Sequence, residues 1–282
     1  MSAVSAPTSY VQVGPDLIGW RSIGRGPPIL LLTRMRGTLD TWDPLFLDEL
    51  ARANRVITVD YPGVGYSSGS LPEDIGRAAD FVAAFATAIG LEDFTLLGWS
   101  WGGLVAQAVA TDHPGRANRL VLVGTNPPGI GPVAIQQVFL ERAFKPVNDL
   151  ADEEVLFFEP QSAASRRAAK ASRERIRRRP DVDARIPSTQ PQIQAYLSAA
   201  ASFRDDSRGR VGTLARLRIP MLALCGDHDT STAAENWFAL IRRFPRLYLI
   251  VYPEAGHGPH HQYPELAVSH INLFLTSTKD NA

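Results

Sequence analysis

The chain reads as an α/β protein: a mostly parallel eight-stranded sheet flanked by helices, with an inserted helical cap. Three observations predict this. Six short apolar runs alternate with longer helical patterns, as in parallel sheets buried on both faces. Two segments of alternating polarity precede them and suit an antiparallel edge hairpin. Between the fourth and fifth apolar runs, about 80 residues contain no strand-like run and are instead helical and interrupted by prolines. At 282 residues, 45% apolar and 21% charged, the chain can close one large core and is too apolar for disorder.

The elements follow in order. SYVQVG and DLIGWRSI form the expected hairpin around Gly14-Pro15. PPILLLT (27–33) is the first buried run, followed by a helical pattern over 44–53 and the run RVITVDY (55–61). Over 74–90, Ile75, Ala79, Val82, Phe85, Ala86 and Ile89 mark one apolar face at helical spacing. FTLLGWS (94–100), a helix over 101–113 and RLVLVGT (119–125) come next. Helical segments at 132–144, 151–158, 162–178 and 189–204 are then separated by Pro146, Pro160, Pro180, Pro187 and Pro191. IPMLALCG (219–226), a helix over 233–244, LYLIVYPEA (247–255) and a helix over 264–276 complete the pattern. Residues 1–127 and 206–282 are thus expected to form the core, and 128–205 a helical lid emerging from the strand ends.

Formal net charge is zero, so no overall field favours nucleic acid or an anionic membrane. The basic stretch SRRAAKASRERIRRRP (165–180) is either a docking surface for an acidic partner or a solvated helix face balanced by Glu153, Glu154, Asp181 and Asp183; the second is expected. The single cysteine, Cys225, lies in an apolar run and is expected to be a buried strand residue. The opening residues lack the basic and apolar regions of a signal peptide, and no apolar run has membrane-spanning length, so a cytoplasmic location is expected. Nothing in the sequence sets an oligomeric state.

Gly98-Trp99-Ser100-Trp101-Gly102 fits G-x-S-x-G and stands between a strand pattern and a helix pattern. A sharp turn there holds the serine in a strained conformation at the carboxyl end of the sheet, and it needs neighbours without Cβ atoms. A serine hydroxyl is a weak nucleophile and requires a base, itself oriented by an acid. GDHDTS (226–231) and PEAGHGPHH (253–261) follow the last two runs and supply those groups in the chain order Ser, Asp, His.

On these residues the sequence resembles the α/β-hydrolase superfamily, over essentially the whole chain except the lid. VDYPGVGYSSG (59–69) looks like that family's loop after the fourth strand, and AGHGPHHQYP (255–264) like its histidine loop. The resemblance implies Ser100 as nucleophile, His257 as base and Asp229 as acid, with Asp227 the alternative acid. His260 and His261 lack a cysteine or carboxylate to complete a familiar metal spacing, and no metal site is expected. His113 and His270 are expected to cap or pack. Gly63, Gly65 and Gly69 do not fit a dinucleotide fingerprint, because the third glycine is one place late and no helix follows. No cofactor is called for.

The chain departs from the family at Leu32-Thr33-Arg34-Met35-Arg36-Gly37. Aligned through Gly37 and Trp42, Thr33 falls on the family's histidine, Arg34 on its glycine and Met35 on the second oxyanion donor. The resemblance therefore implies backbone N–H groups of Trp101 and Met35 as the oxyanion hole. Arg34 or Arg36 either reaches the pocket, where it would bind a carboxylate or other anion, or bonds loop carbonyls or Asp40. Trp101 is expected on the pocket wall and Trp99 in packing. Arg34, Trp101, Phe139 and Phe158 are the candidate substrate contacts, with Phe144, Phe157 and Tyr196 either lining the pocket or packing the lid. The expected function is hydrolysis of a small ester or lactone of apolar or aromatic character. C–C bond hydrolysis, perhydrolysis and cofactor-free oxygen chemistry on the same scaffold are alternatives, as is a small-molecule receptor with residual hydrolysis.

Overall fold

In the computed structural model, which describes residues 2–278, the two alternating segments form the edge hairpin. Strand β1 (Ser9–Val13) pairs antiparallel with β2 (Asp16–Ile23) across a turn at Gly14. The apolar runs become β3 (Pro28–Leu32), β4 (Arg55–Val59), β5 (Phe94–Trp99), β6 (Ala117–Val123), β7 (Met221–Gly226) and β8 (Leu247–Tyr252). The spatial order is β1-β2-β4-β3-β5-β6-β7-β8, with β2 antiparallel to β4 and every pair beyond it parallel.

Alternation along each strand explains why these runs are apolar throughout. Leu30, Leu32, Leu96, Leu120, Leu122, Ala223 and Cys225 pack into the layer on one face of the sheet. Their neighbours Ile29, Leu31, Leu97, Val121, Val123, Leu222 and Leu224 pack into the layer on the other. Helices cover both faces. Helix α1 (Pro44–Leu50) lies in the second layer, whereas α2 (Ile75–Ala88) and α3 (Trp101–Asp112) lie in the first. The expected apolar face of α2 is buried, with Ile89 partly so.

Four α-helices lie within residues 128–205, after β6: α4 (Gln137–Ala143), α5 (Leu150–Phe157), α6 (Ala163–Ile176) and α7 (Gln190–Arg204). Asp149, Ser162 and Thr189 cap α5, α6 and α7 by accepting from first-turn N–H groups. The expected start of α4 at 132 is too early. Asn236 bonds both the N–H and the carbonyl of Val133, so this backbone is satisfied without a helical turn. Two short helices escaped the sequence pattern, α8 (Arg210–Arg216) and, after β8, α10 (Pro259–Gln262). Between β7 and β8 the expected 233–244 helix shrinks to α9 (Glu235–Phe238), followed by turns as the chain approaches Pro245. Helix α11 (Pro264–Ser277) closes the second layer beside α1.

The basic stretch is only partly the solvated face it was expected to be. Arg173 pairs with Glu153 and Arg177 with Asp183 as anticipated, but Arg175 and Arg179 turn toward the core. Arg175 forks onto both oxygens of the buried Asp43 at 2.8 and 2.5 Å. Arg179 donates to the carbonyls of Ala3 and Ala6. Part of this charge thus fastens α6 to the sheet domain, a pairing invisible in sequence because its partners lie more than 130 residues away. Among the described residues, no helix is long and apolar enough to cross a membrane. Cys225 is buried on β7, and burial pushes its thiol pKa up.

Candidate active site

Ser100 caps α3 from the strand side with φ +55° and ψ −118°, a backbone conformation costly for any residue with a side chain. The glycines explain how the turn closes. A Cβ on Gly98 would run into the backbone of Gly102 and Gly103, and one on Gly102 into the carbonyls of Leu32 and Thr33. Helix α3 therefore meets β5 and β3 backbone to backbone, and the hydroxyl is raised at the carboxyl ends of the parallel strands.

Two loops from neighbouring strands meet it there. The loop after β8 brings His257 Nε2 to 2.7 Å from Ser100 Oγ, and the loop after β7 brings Asp229 Oδ2 to 2.8 Å from His257 Nδ1. Asp229 accepts from the backbone N–H of Ser231 and Thr232 and from the Thr232 hydroxyl at 2.7 Å. Burial opposes its charge, but His257 and the Thr232 bonds outweigh burial and hold its pKa below the usual carboxylate range. A charged Asp229 favours the tautomer in which His257 Nδ1–H donates to it, which turns the Nε2 lone pair toward the serine hydroxyl.

Asp227 points elsewhere: its carboxylate binds His228 at 2.7 Å and the N–H of Ala255 at 3.0 Å. Of the other histidines, His113 binds Asp80 and His270 binds the Tyr252 hydroxyl. His260 and His261 are buried among Trp42, Phe46 and Trp99. His261 Nε2 accepts the N–H of Asp43, whereas neither nitrogen of His260 has a hydrogen-bond partner among the described residues. No group of three potential metal ligands occurs among the described residues.

Ser100 and His257 open into a cavity of about 710 Å³ lined mainly by the segments between β6 and β7. Met35 and Trp101 both line it, as Ser100 does. Trp101 is also the first residue of α3, a position whose N–H has no intrahelical partner. The Trp101 indole is almost wholly buried, edge-on to Tyr61 and Tyr196, with Nε1 donating to the Tyr196 carbonyl at 3.2 Å. It is thus a packing residue as much as a wall. Trp99 packs as expected, and its Nε1 bonds the His257 carbonyl.

Phe139 lines the cavity and lies edge-on to the His257 ring at 5.4 Å. Phe144 lines it too, whereas Tyr196 is buried behind Trp101. Phe158 does not line it. Its backbone lies against Gly256, where no Cβ would fit, and its buried side chain is replaced on the wall by its neighbour Phe157. A helix-end boundary sets which of these two phenylalanines faces the cavity, and periodicity does not resolve one residue there.

The arginines of the departing loop divide the two roles foreseen for them. Arg36, at φ +59°, donates to the carbonyls of Pro187, Ala143, Lys145 and Pro146 at 2.7–2.9 Å, clamping the ends of α4 and the approach to α7. Asp40 is taken by Arg21 at 2.6 Å. Arg34 lies on the cavity wall over the Phe157 ring at 4.3 Å and the Trp99 ring at 5.2 Å, donating to the Met35 carbonyl. Burial lowers its pKa to about 10, with Glu153 opposing and Arg36 adding to the shift, so it stays charged at neutral pH. Thr232 and the distant carbonyls that Arg36 binds were not anticipated, whereas Phe157 was among the side chains expected either to line the pocket or to pack the lid. Only Thr232 carried a signal, as a hydroxyl three residues after Asp229.

A family model described as alpha/beta hydrolase fold matches residues 27–264. The chain belongs to the alpha/beta hydrolase fold family. Within it, the chain is 29% identical over 267 residues to the pimeloyl-[acyl-carrier protein] methyl ester esterase of Aeromonas hydrophila, covering 89% of this chain and 96% of that protein. It is 27% identical to the esterase of the same name from Vibrio campbellii, over 85% of this chain and 91% of that one. An alpha/beta hydrolase fold protein from Chitinophaga pinensis superposes with a TM-score of 0.85 at 29% identity, covering 98% and 99% of the two chains. The alpha/beta hydrolase here therefore shares both fold and length with enzymes named as esterases.

Proposed function

We propose that the protein is a carboxylic ester hydrolase working through an acyl-enzyme on Ser100. The observation that carries this is the hydrogen-bonded chain Ser100–His257–Asp229, at 2.7 and 2.8 Å, opening into a large cavity. The esterase names of the relatives support the same reading.

As the Ser100 oxygen attacks the carbonyl, His257 Nε2 takes its proton, and Asp229 stabilises the resulting imidazolium without itself being protonated. The negative oxygen of the tetrahedral intermediate is held by the backbone N–H groups of Trp101 and Met35. The dipole of α3 assists from behind. Collapse expels the alcohol, which receives its proton from His257. Water, deprotonated by the same histidine, then releases the acid. Arg34, Trp101 and Phe139 contact the substrate, and residues 128–205 act as a lid over it. A cavity bounded by Phe139, Leu140, Phe144 and Leu156 favours an apolar acyl or alcohol portion.

Turnover of short-chain p-nitrophenyl esters, with Ser100→Ala as control, tests the assignment. The variant is expected to lose on the order of 10⁴-fold or more in kcat. Undiminished hydrolysis by the variant would overturn it. Lactones and a vinylogous diketone assayed in parallel read out the neighbouring chemistries of the same scaffold.

A further inference from the structure

The cavity carries more positive charge than its own acids neutralise. Two acidic residues line it, Glu153 and Asp183. Both are already engaged: Glu153 binds Arg173 and lies 3.6 Å from Arg177, and Asp183 binds Arg177 at 2.9 Å. Among the described residues, no carboxylate oxygen lies within 4 Å of the guanidinium of Arg34 or Arg36. Four of the five N–H donors of Arg36 are spent on carbonyls. Arg34 makes one hydrogen bond, to the carbonyl of Met35, and otherwise meets the faces of Phe157 and Trp99.

Arg34 is half-buried, and a guanidinium partly withdrawn from water without a bonded anion carries a cost that ring faces recover only in part. A methionine or leucine would fill the same space without it. The arrangement becomes favourable when an anion enters the cavity. A single free guanidinium matches a single negative charge, and its planar fork matches a carboxylate.

We infer that Arg34 recognises a carboxylate on the substrate, so that the ester cleaved at Ser100 is a half-ester of a dicarboxylic acid. This rests on the ester-hydrolase reading and names its substrate class. The Ser100 oxygen forms the acyl bond as the carbonyl carbon–alkoxy bond breaks, and the alcohol leaves with the proton that His257 took from Ser100. Water then returns the second carboxylic acid, which ionises at neutral pH. The carboxylate on Arg34 takes part in no bond change. It sets which end of the molecule faces the serine.

The test compares kcat/KM for monomethyl and dimethyl esters of glutaric, adipic and pimelic acids at fixed ionic strength near pH 7.5. The wild-type ratio is read first and needs no variant. A preference of about tenfold or more for the half-ester is expected at one chain length at least, the scale of one charge-assisted hydrogen bond. That ratio should fall to near one in Arg34→Met and be partly kept in Arg34→Lys. A wild type that prefers the neutral diester, or a ratio unmoved by Arg34→Met, overturns the inference. If no ester is cleaved, the ester-hydrolase reading fails separately. Thermal stabilisation by free glutarate, adipate or pimelate then decides the carboxylate site: a shift lost in Arg34→Met supports it, and an equal or absent shift overturns it.

Discussion

The indole Nε1 of Trp99 donates to the main-chain carbonyl of His257 at 2.8 Å. The residue before Ser100 therefore holds in place the backbone of the histidine that faces Ser100. The same indole packs on His260, His261 and Phe157, so the bond is shielded from water. Trp99→Phe keeps an aromatic ring but leaves a buried carbonyl unpaired, which costs about 1–3 kcal/mol. The expected result is a loss of stability in that range by denaturant melts, with kcat for a p-nitrophenyl ester lowered about tenfold and KM little changed. A variant with wild-type kcat would show that the histidine loop is held by packing alone.

In the proposed mechanism Asp229, 2.8 Å from His257 Nδ1, fixes the histidine tautomer. Asp229→Asn preserves shape but can offer an N–H to His257 Nδ1, which would turn the proton to Nε2 and away from its useful position. The expected fall in kcat is about 10³- to 10⁴-fold. Asp227→Asn should leave kcat within about threefold, because Asp227 bonds His228 and Ala255 instead. Comparable losses in both variants would reopen the choice of acid.

Arg36 ties the loop that carries Met35 to the segments beside α4 and α7 through four carbonyls. Arg36→Met removes every one of those bonds while conserving much of the volume. Limited proteolysis should then cut faster between residues 143 and 148, and KM should rise more than kcat falls. An unchanged cleavage pattern would mean that residues 143–148 are held by the packing of α4 and α5 and not by this clamp.

His260 and His261 are held neutral. Burial lowers His261 to about 4, with Asp43 opposing and Arg34 and Arg175 adding, and burial also holds His260 well below the ordinary histidine value. An unfolded histidine binds its proton near pH 6.5, so the unfolded chain takes up protons that the folded one refuses. The stability held by a depressed histidine is complete above about pH 6.5 and is lost as pH falls toward 4. For His261 that loss is on the order of 3 kcal/mol. His261→Gln, which keeps an acceptor for the Asp43 N–H, should flatten the fall in unfolding free energy between pH 6.5 and 4.5. A pH profile parallel to wild type would place the acid sensitivity elsewhere.

Much of this protein is legible along the chain because its signals are local. Alternating polarity gave β1 and β2, continuous apolar runs gave the other six strands, and helical spacing gave most helices. The turn at Gly98–Gly102 announces itself because only glycine tolerates the backbone approach to Leu32 and Thr33. Chain order placed Asp229 and His257 in loops at the ends of β7 and β8, and a parallel sheet brings such loops to one rim. What the tertiary structure alone decided depends on partners far apart in sequence. Arg34 and Arg36 stand two residues apart and look equivalent, yet Arg36 is consumed by carbonyls more than 100 residues away. Arg34 is left facing the cavity. Phe157 reaches the cavity wall and the expected contact Phe158 does not, because the end of α5 meets Gly256. A sequence fixes which charges and rings exist, but which are already spoken for is settled only when the chain closes around them.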